Sequence, residues 1–143
     1  MAIQFKLHRI SIPQFAILKD EAFANPLRVN YEVNFSIDDQ IKSIRNSFKI
    51  SYLNGEEAVM VMMIVCYFDV APESWKEMTQ KNGNIVIPAG FLQHLATVTL
   101  GAARGAQFAK TEATNLNNYT IPLMNLTELV KNDMVVTPNV SNK

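Results

Sequence analysis

From Leu27 to Asp38 the chain alternates without a break. Leu27, Val29, Tyr31, Val33, Phe35 and Ile37 are apolar; Arg28, Asn30, Glu32, Asn34, Ser36 and Asp38 are polar or charged. Successive side chains of a strand point to opposite faces, so this pattern predicts a strand in an antiparallel sheet with one buried and one wet face. A second run follows, with Ile44, Phe48, Ile50 and Tyr52 set against Arg45, Ser47, Lys49 and Ser51. It ends in "LNGEE", Leu53 to Glu57, whose Asn-Gly pair signals a hairpin. Upstream, Ile3 to about Leu18 is strand-like with a change of phase. Phe5 and Leu7 have one parity, Ile10 and Ile12 the other, and a bulge near His8 to Ile10 would return all four to one face.

The fourth strand abandons alternation. Ala58 to Phe68 is apolar at both parities, so its second face must be covered, by another part of the chain or by another subunit. Cys66 lies inside it and reads as a small buried hydrophobe. The remainder changes character. "PESWKEM" after Ala71 is a short helical turn opened by Pro72, and "QKNGN" is a loop. A long helix starts at Pro88 and runs to about Ala113. "TNLNNYTIPLMN" is extended, and "LTELVKN" is a short terminal helix. The expectation is one α+β domain over residues 1–143: a four-stranded antiparallel sheet, a long helix, an extended segment and a short C-terminal helix, with a flexible tail from about 133 to 143.

With 48% apolar and 18% charged residues and no net charge, the chain lacks the basic field that draws in nucleic acid. Its longest apolar run is too short to span a membrane. "MAIQFKLHRI" alternates and does not resemble a secretory signal, so a cytoplasmic protein is expected.

The long helix contains Gly101 and Gly105, each costing about 1 kcal/mol relative to alanine in a helix interior. On a helical wheel Phe91, Leu95, Val98, Ala102, Ala106 and Ala109 share one stripe, and Gln93, Thr97, Arg104 and Thr111 lie opposite. Gly101 and Gly105, with His94 and Glu112, form a shallow stripe beside the first. Leu100 and Phe108 fall on the polar side, where a lone helix would not place them. A helix buried between its own sheet and a partner accounts for both features, so Leu100, Gly101, Gly105 and Phe108 are the expected oligomer contacts.

Signals of catalysis and of metal or nucleotide binding are poor. His8 and His94 belong to no cluster with ligand spacing, and G-x-S-x-G, P-loop and G-x-G-x-x-G patterns are missing. The expectation is no catalytic residue, no metal and no cofactor. Met60, Met62 and Met63 on the fourth strand read as adaptable core. Trp75, Met78, Ile121, Leu123, Met124 and Leu126 differ, being apolar residues in short or irregular segments flanking the long helix. Some should cap the sheet, and the others should line a groove for extended polypeptide.

The order of elements resembles the SecB-type protein-export chaperone family. "IVIPAGFLQHL" is similar to the family's proline-opened main helix, "IPLMNLTEL" to its post-helix segment, and "FKLHRISI" to its opening strand. The resemblance implies a homotetramer built as a dimer of dimers, with long helices between the dimers. It also implies ATP-independent holding of unfolded or nascent polypeptide, for export or for a dedicated client such as an antitoxin. Typical members are acidic and dock SecA through an acidic sheet face and tail. This chain is neutral, carries Arg28, Arg45 and Lys49 on that face, and ends in "VVTPNVSNK", so it lacks those docking features. Two other readings remain open: an oligomeric interaction module without chaperone activity, and a hot-dog-type small-molecule-binding enzyme. Element order argues against the second, because a hot-dog helix comes early and this one follows four strands.

Overall fold

The computed structural model describes residues 2–137. Strands β1 (Phe5–Ile17), β2 (Arg28–Asp38), β3 (Ser43–Asn54) and β4 (Glu57–Val70) form one antiparallel sheet in the order β1-β4-β3-β2. Helix α1 (Pro72–Met78) follows, then β5 (Ile85–Ile87), the long helix α2 (Ala89–Lys110), a 3-10 turn at Asn115–Asn118, helix α3 (Leu126–Leu129) and β6 (Met134–Val136). The α+β fold read from the sequence is the fold observed.

The strand that alternates most regularly also pairs most regularly: β2 meets β3 from Arg28–Leu53 to Asp38–Ser43 with no register shift. The β3–β4 hairpin closes over Gly55, whose φ of +65° is cheap only for glycine. On β1 the register skips His8, between the pairs Leu7–Phe68 and Arg9–Tyr67. Leu7 and Ile10 therefore both lie on the face of Phe68 and Cys66, as the phase change required. A second shift, between Ser11 and Gln14, surrounds Pro13, which has no N–H for a ladder.

Helix α2 packs on β3 and β4. Beneath it, Met60, Met62, Ile64, Cys66 and Phe68 of β4 and Ile44, Phe48, Ile50 and Tyr52 of β3 are fully enclosed. The opposite parity of β4, Val61, Met63, Val65 and Tyr67, lies on the outer face, and the β3 residues paired with it are polar: Ser51, Lys49, Ser47 and Arg45. The second apolar face of the fourth strand is thus a ridge one strand wide, flanked on β3 by polar side chains of which Lys49 and Arg45 are the long ones.

Four expectations are corrected. The helix from Pro88 to Ala113 is shorter: Pro88 is its N-cap and Thr111 its C-cap. The frayed tail does not begin at Asp133. Met134–Val136 form β6 and pair with Ile85–Ile87, and the Asp133 carboxylate accepts from Ala89 N at 2.8 Å at the start of α2. Residues 138–143 of the expected tail lie outside the described residues. The buried face of α2 is Leu92, Leu95, Ala96, Thr99, Leu100, Ala103 and Gln107, turned by roughly one residue's step, ~100°, from the stripe read from the sequence. Leu100, expected at a subunit contact, is 3% exposed and belongs to the chain's own core.

Candidate functional site

An α-helix with its side chains is about 10–12 Å across, whereas four strands spaced about 4.8 Å apart make a wider floor. One helix therefore covers about two strands. Here it covers the central pair, and the inner faces of β1 and β2 are left half open. This geometry creates two apolar surfaces, one on each flank of α2.

The first lies beside the C-terminal segment, which returns along α2 as a strap. Gln107 Nε2 donates to the Tyr119 carbonyl at 2.9 Å. Arg104 donates through Nε to the Ile121 carbonyl at 2.8 Å and through its terminal nitrogen to the Pro122 carbonyl at 2.7 Å. Gln93 Nε2 reaches the Val130 carbonyl at 2.8 Å. Between these anchors the strap is extended, and Asn125 caps α3 by accepting from Thr127 N at 3.1 Å. Ile121 is buried, and Met124 and Leu126 pack half-exposed against the core. Leu123 stands 92% exposed. The same core is edged by Val29, Val33 and Phe35 of β2, all half-buried, and Tyr31 of that strand is exposed.

The second surface lies between β1 and the other flank of α2. The two elements touch near both ends. Phe5 meets the rings of Phe91 and His94 edge-on at 5.0 and 5.7 Å, and the Lys110 ammonium sits 5.3 Å from the Phe15 centroid. Leu7 and Ile10, on the helix side of β1, remain 41% and 47% exposed. Along α2, Val98, Ala102 and Ala106 are half-buried, Gly101 and Gly105 are exposed, and Phe108 is 62% exposed. A Cβ added at either glycine meets nothing within 4 Å.

The expected client-binding residues therefore divide. Leu123, Met124 and Leu126 come together on the strap. Trp75, Met78 and Ile121 do not join them in lining a groove: each is at most 3% exposed. Trp75 and Met78, on α1, close one end of the core, and the indole Nε1 donates to Asp39 Oδ1 at 2.7 Å. Of the expected oligomer contacts, Gly101, Gly105 and Phe108 share the outward side of α2, while Leu100 faces the sheet. Tyr31, Val33, Phe35, Leu7 and Ile10 were read from the sequence only as sheet-face residues. The signal that they stay open was the ratio of one long helix to four strands.

Burial raises the Tyr52 phenol above its ordinary pKa, against the opposing pull of its hydrogen bond from Gln107 and the charge of Arg104. Burial likewise raises the Cys66 thiol, opposed by a hydrogen bond with Thr99. Among the described residues no three of His, Cys, Asp and Glu come together as a metal site, and no helix is long and apolar enough to cross a membrane.

No family model matches this chain, and no curated protein matches it. Among solved structures it is similar to a SecB-like chaperone of Mycobacterium tuberculosis in complex with a ChAD peptide from the HigA1 antitoxin. The TM-score is 0.48 at 12% identity, over 85% of this chain and 91% of that one. It is also similar to a protein of unknown function from Streptococcus agalactiae, with a TM-score of 0.43 and 14% identity, over 87% of this chain and 100% of that one. Likeness at this level carries no argument about activity, which has to come from the surfaces described above.

Proposed function

We propose that this chain is an ATP-independent holdase-type chaperone of the cytoplasm that holds unfolded or nascent polypeptide on the strap side of α2. The observation that carries the reading is the strap itself. Leu123 is 92% exposed beside half-buried Met124 and Leu126, and the core they pack on is edged by β2, whose Tyr31, Val33 and Phe35 are not fully covered. Burying one large apolar side chain yields about 1.5–3 kcal/mol, so an extended apolar segment laid there would recover what the single helix leaves open. The site would bind without strong sequence preference, and both an export-bound chain and a dedicated client such as an antitoxin fit it. Docking to SecA is not included, because the outer sheet face carries Arg9, Arg45 and Lys49.

The proposed assembly is a homo-oligomer, ultimately a tetramer, through the opposite flank, where Leu7, Ile10, Gly101, Gly105 and Phe108 are open. That same observation favours a second reading, an oligomeric module with no chaperone activity. The two are separated by aggregation suppression. Wild type should keep a chemically denatured client soluble without nucleotide, and Leu123→Ser/Met124→Ser should lose most of that suppression at equal oligomer concentration. Equal suppression by the variant would move the client site elsewhere. No suppression by wild type would leave the plain interaction module.

A further inference from the structure

The outer face of the sheet, away from α2, carries a feature that client holding does not use. Arg9, Tyr67 and Arg45 stand side by side across β1, β4 and β3, in register. Both guanidinium carbons lie over the one tyrosine ring, at 5.4 and 5.6 Å from its centroid. Stacking on a ring holds a guanidinium by its face and leaves its N–H edge free to donate. A cavity of about 400 Å³ opens here, lined by both arginines, Tyr67, His8, Ser43, Asp69 and Ile41. A second cavity of about 220 Å³ adjoins it, shares Arg45 and Tyr67, and continues over Ser36, Ser47, Met63 and Val65.

The charges around the cavity are unequally paired. Asp69 is held by His8 at 3.3 Å, and Asp38 reaches Arg45 only at 4.0 Å. The ion pairs of this face include none to Arg9 among the described residues. The geometry points to a recognition site for an acidic side chain of a partner polypeptide. Its carboxylate would be gripped by the forked donors of Arg9 and Arg45, and its neighbouring residues would run along the second cavity. A guanidinium fork matches a carboxylate with two parallel hydrogen bonds. The adjoining cavity, apolar at Met63 and Val65 and hydroxyl-lined at Ser36 and Ser47, suits the residues flanking such a side chain. Asp38, beside Arg45, and Asp69, in the cavity lining, set this site against a polyanion, while Glu32 further along the face stands opposite Lys49. A nucleic acid or an anionic bilayer would press phosphates onto those carboxylates, whereas one isolated carboxylate avoids them.

The site is on the opposite face of the sheet from the Leu123 strap, so it stands or falls independently of client holding there. The test is fluorescence anisotropy with a labelled short peptide of serine and valine carrying glutamate, and with its glutamine counterpart. The glutamate peptide should bind, more weakly as salt rises, and the glutamine peptide should not. Arg9→Gln and Arg45→Gln should each weaken binding about tenfold or more, the loss of a charge-assisted pair. Arg9→Lys, which keeps the charge without the fork, should fall between wild type and Arg9→Gln. Both arginines are exposed, and circular dichroism checks that the variants remain folded. Aggregation suppression should be the same in all of them. Equal binding of the two peptides, or unchanged binding by both glutamine variants, would overturn the proposal. So would displacement of the peptide by inorganic phosphate well beyond that by chloride at matched ionic strength, which would make the site a general anion pocket.

Discussion

Gln107 and Cys66 show how single buried polar groups set the behaviour of this core. Gln107 Nε2 donates to the Tyr52 hydroxyl at 3.0 Å as well as to the Tyr119 carbonyl, tying helix, sheet and strap together at one point. Burial raises both the Tyr52 phenol and the Cys66 thiol. In the folded chain the two groups therefore hold their protons to higher pH than in the unfolded one. As pH rises through their ordinary values, about 8.5 for Cys and about 10 for Tyr, the unfolded chain ionises first and is favoured. The stabilisation is fully present below those values and is lost on going above them. The urea midpoint should fall between about pH 7.5 and about pH 10, and by less in Tyr52→Phe/Cys66→Ala, because lysines titrating in the same range affect both proteins alike. Identical slopes for the two proteins would show that neither group is coupled to folding. Buried polar residues of this kind were not legible in the sequence. Gln107 and Thr99 are polar by type yet lie on the buried face of α2, and only partners such as Tyr52 and the Tyr119 carbonyl show why.

At the scale of the element, α2 has two faces with separable jobs, and Leu100 and Phe108 report on one each. Leu100 lies in the core, so Leu100→Ala should cost about 2–5 kcal/mol in chemical denaturation, while Phe108→Ala should stay within about 0.5 kcal/mol. Gly105→Leu should not harm the isolated chain either. The added side chain starts in open space, and removing a helical glycine gains about 0.5–1 kcal/mol. Both outward-face changes should nevertheless lower the sedimentation coefficient if α2 joins subunits there. An oligomer that sediments as wild type with both changes present would place assembly on another surface. The strands were the most legible elements. A period of two fixes each face, the skipped His8 follows from a parity change, and the turn follows from Asn54 and Gly55. Trp75 and Met78 were misplaced because a helix of seven residues has too little period to read, and Ile121 because it lies in the extended strap with no period at all. Whether they are buried depends on what closes over them.

Over the whole molecule, the disproportion between one long helix and four strands explains why both flanks of α2 are open, and it could have been counted from the predicted elements alone. The strand order has its own implication. β1 pairs with β4 at the edge of the sheet, so the first strand to leave a ribosome must wait for the last of the four. β2, β3 and β4 form a meander of consecutive hairpins with short loops to close, whereas β1 must close a loop that encloses all of them. In refolding followed by pulsed hydrogen exchange, amides of β3 should gain protection before those of β1, and simultaneous protection would refute that order. During synthesis, at about 5–20 residues per second, the newborn chain trails Phe5, Leu7, Ile10 and Ile12 unpaired for several seconds. It then presents the same kind of extended apolar segment that the finished protein is proposed to hold.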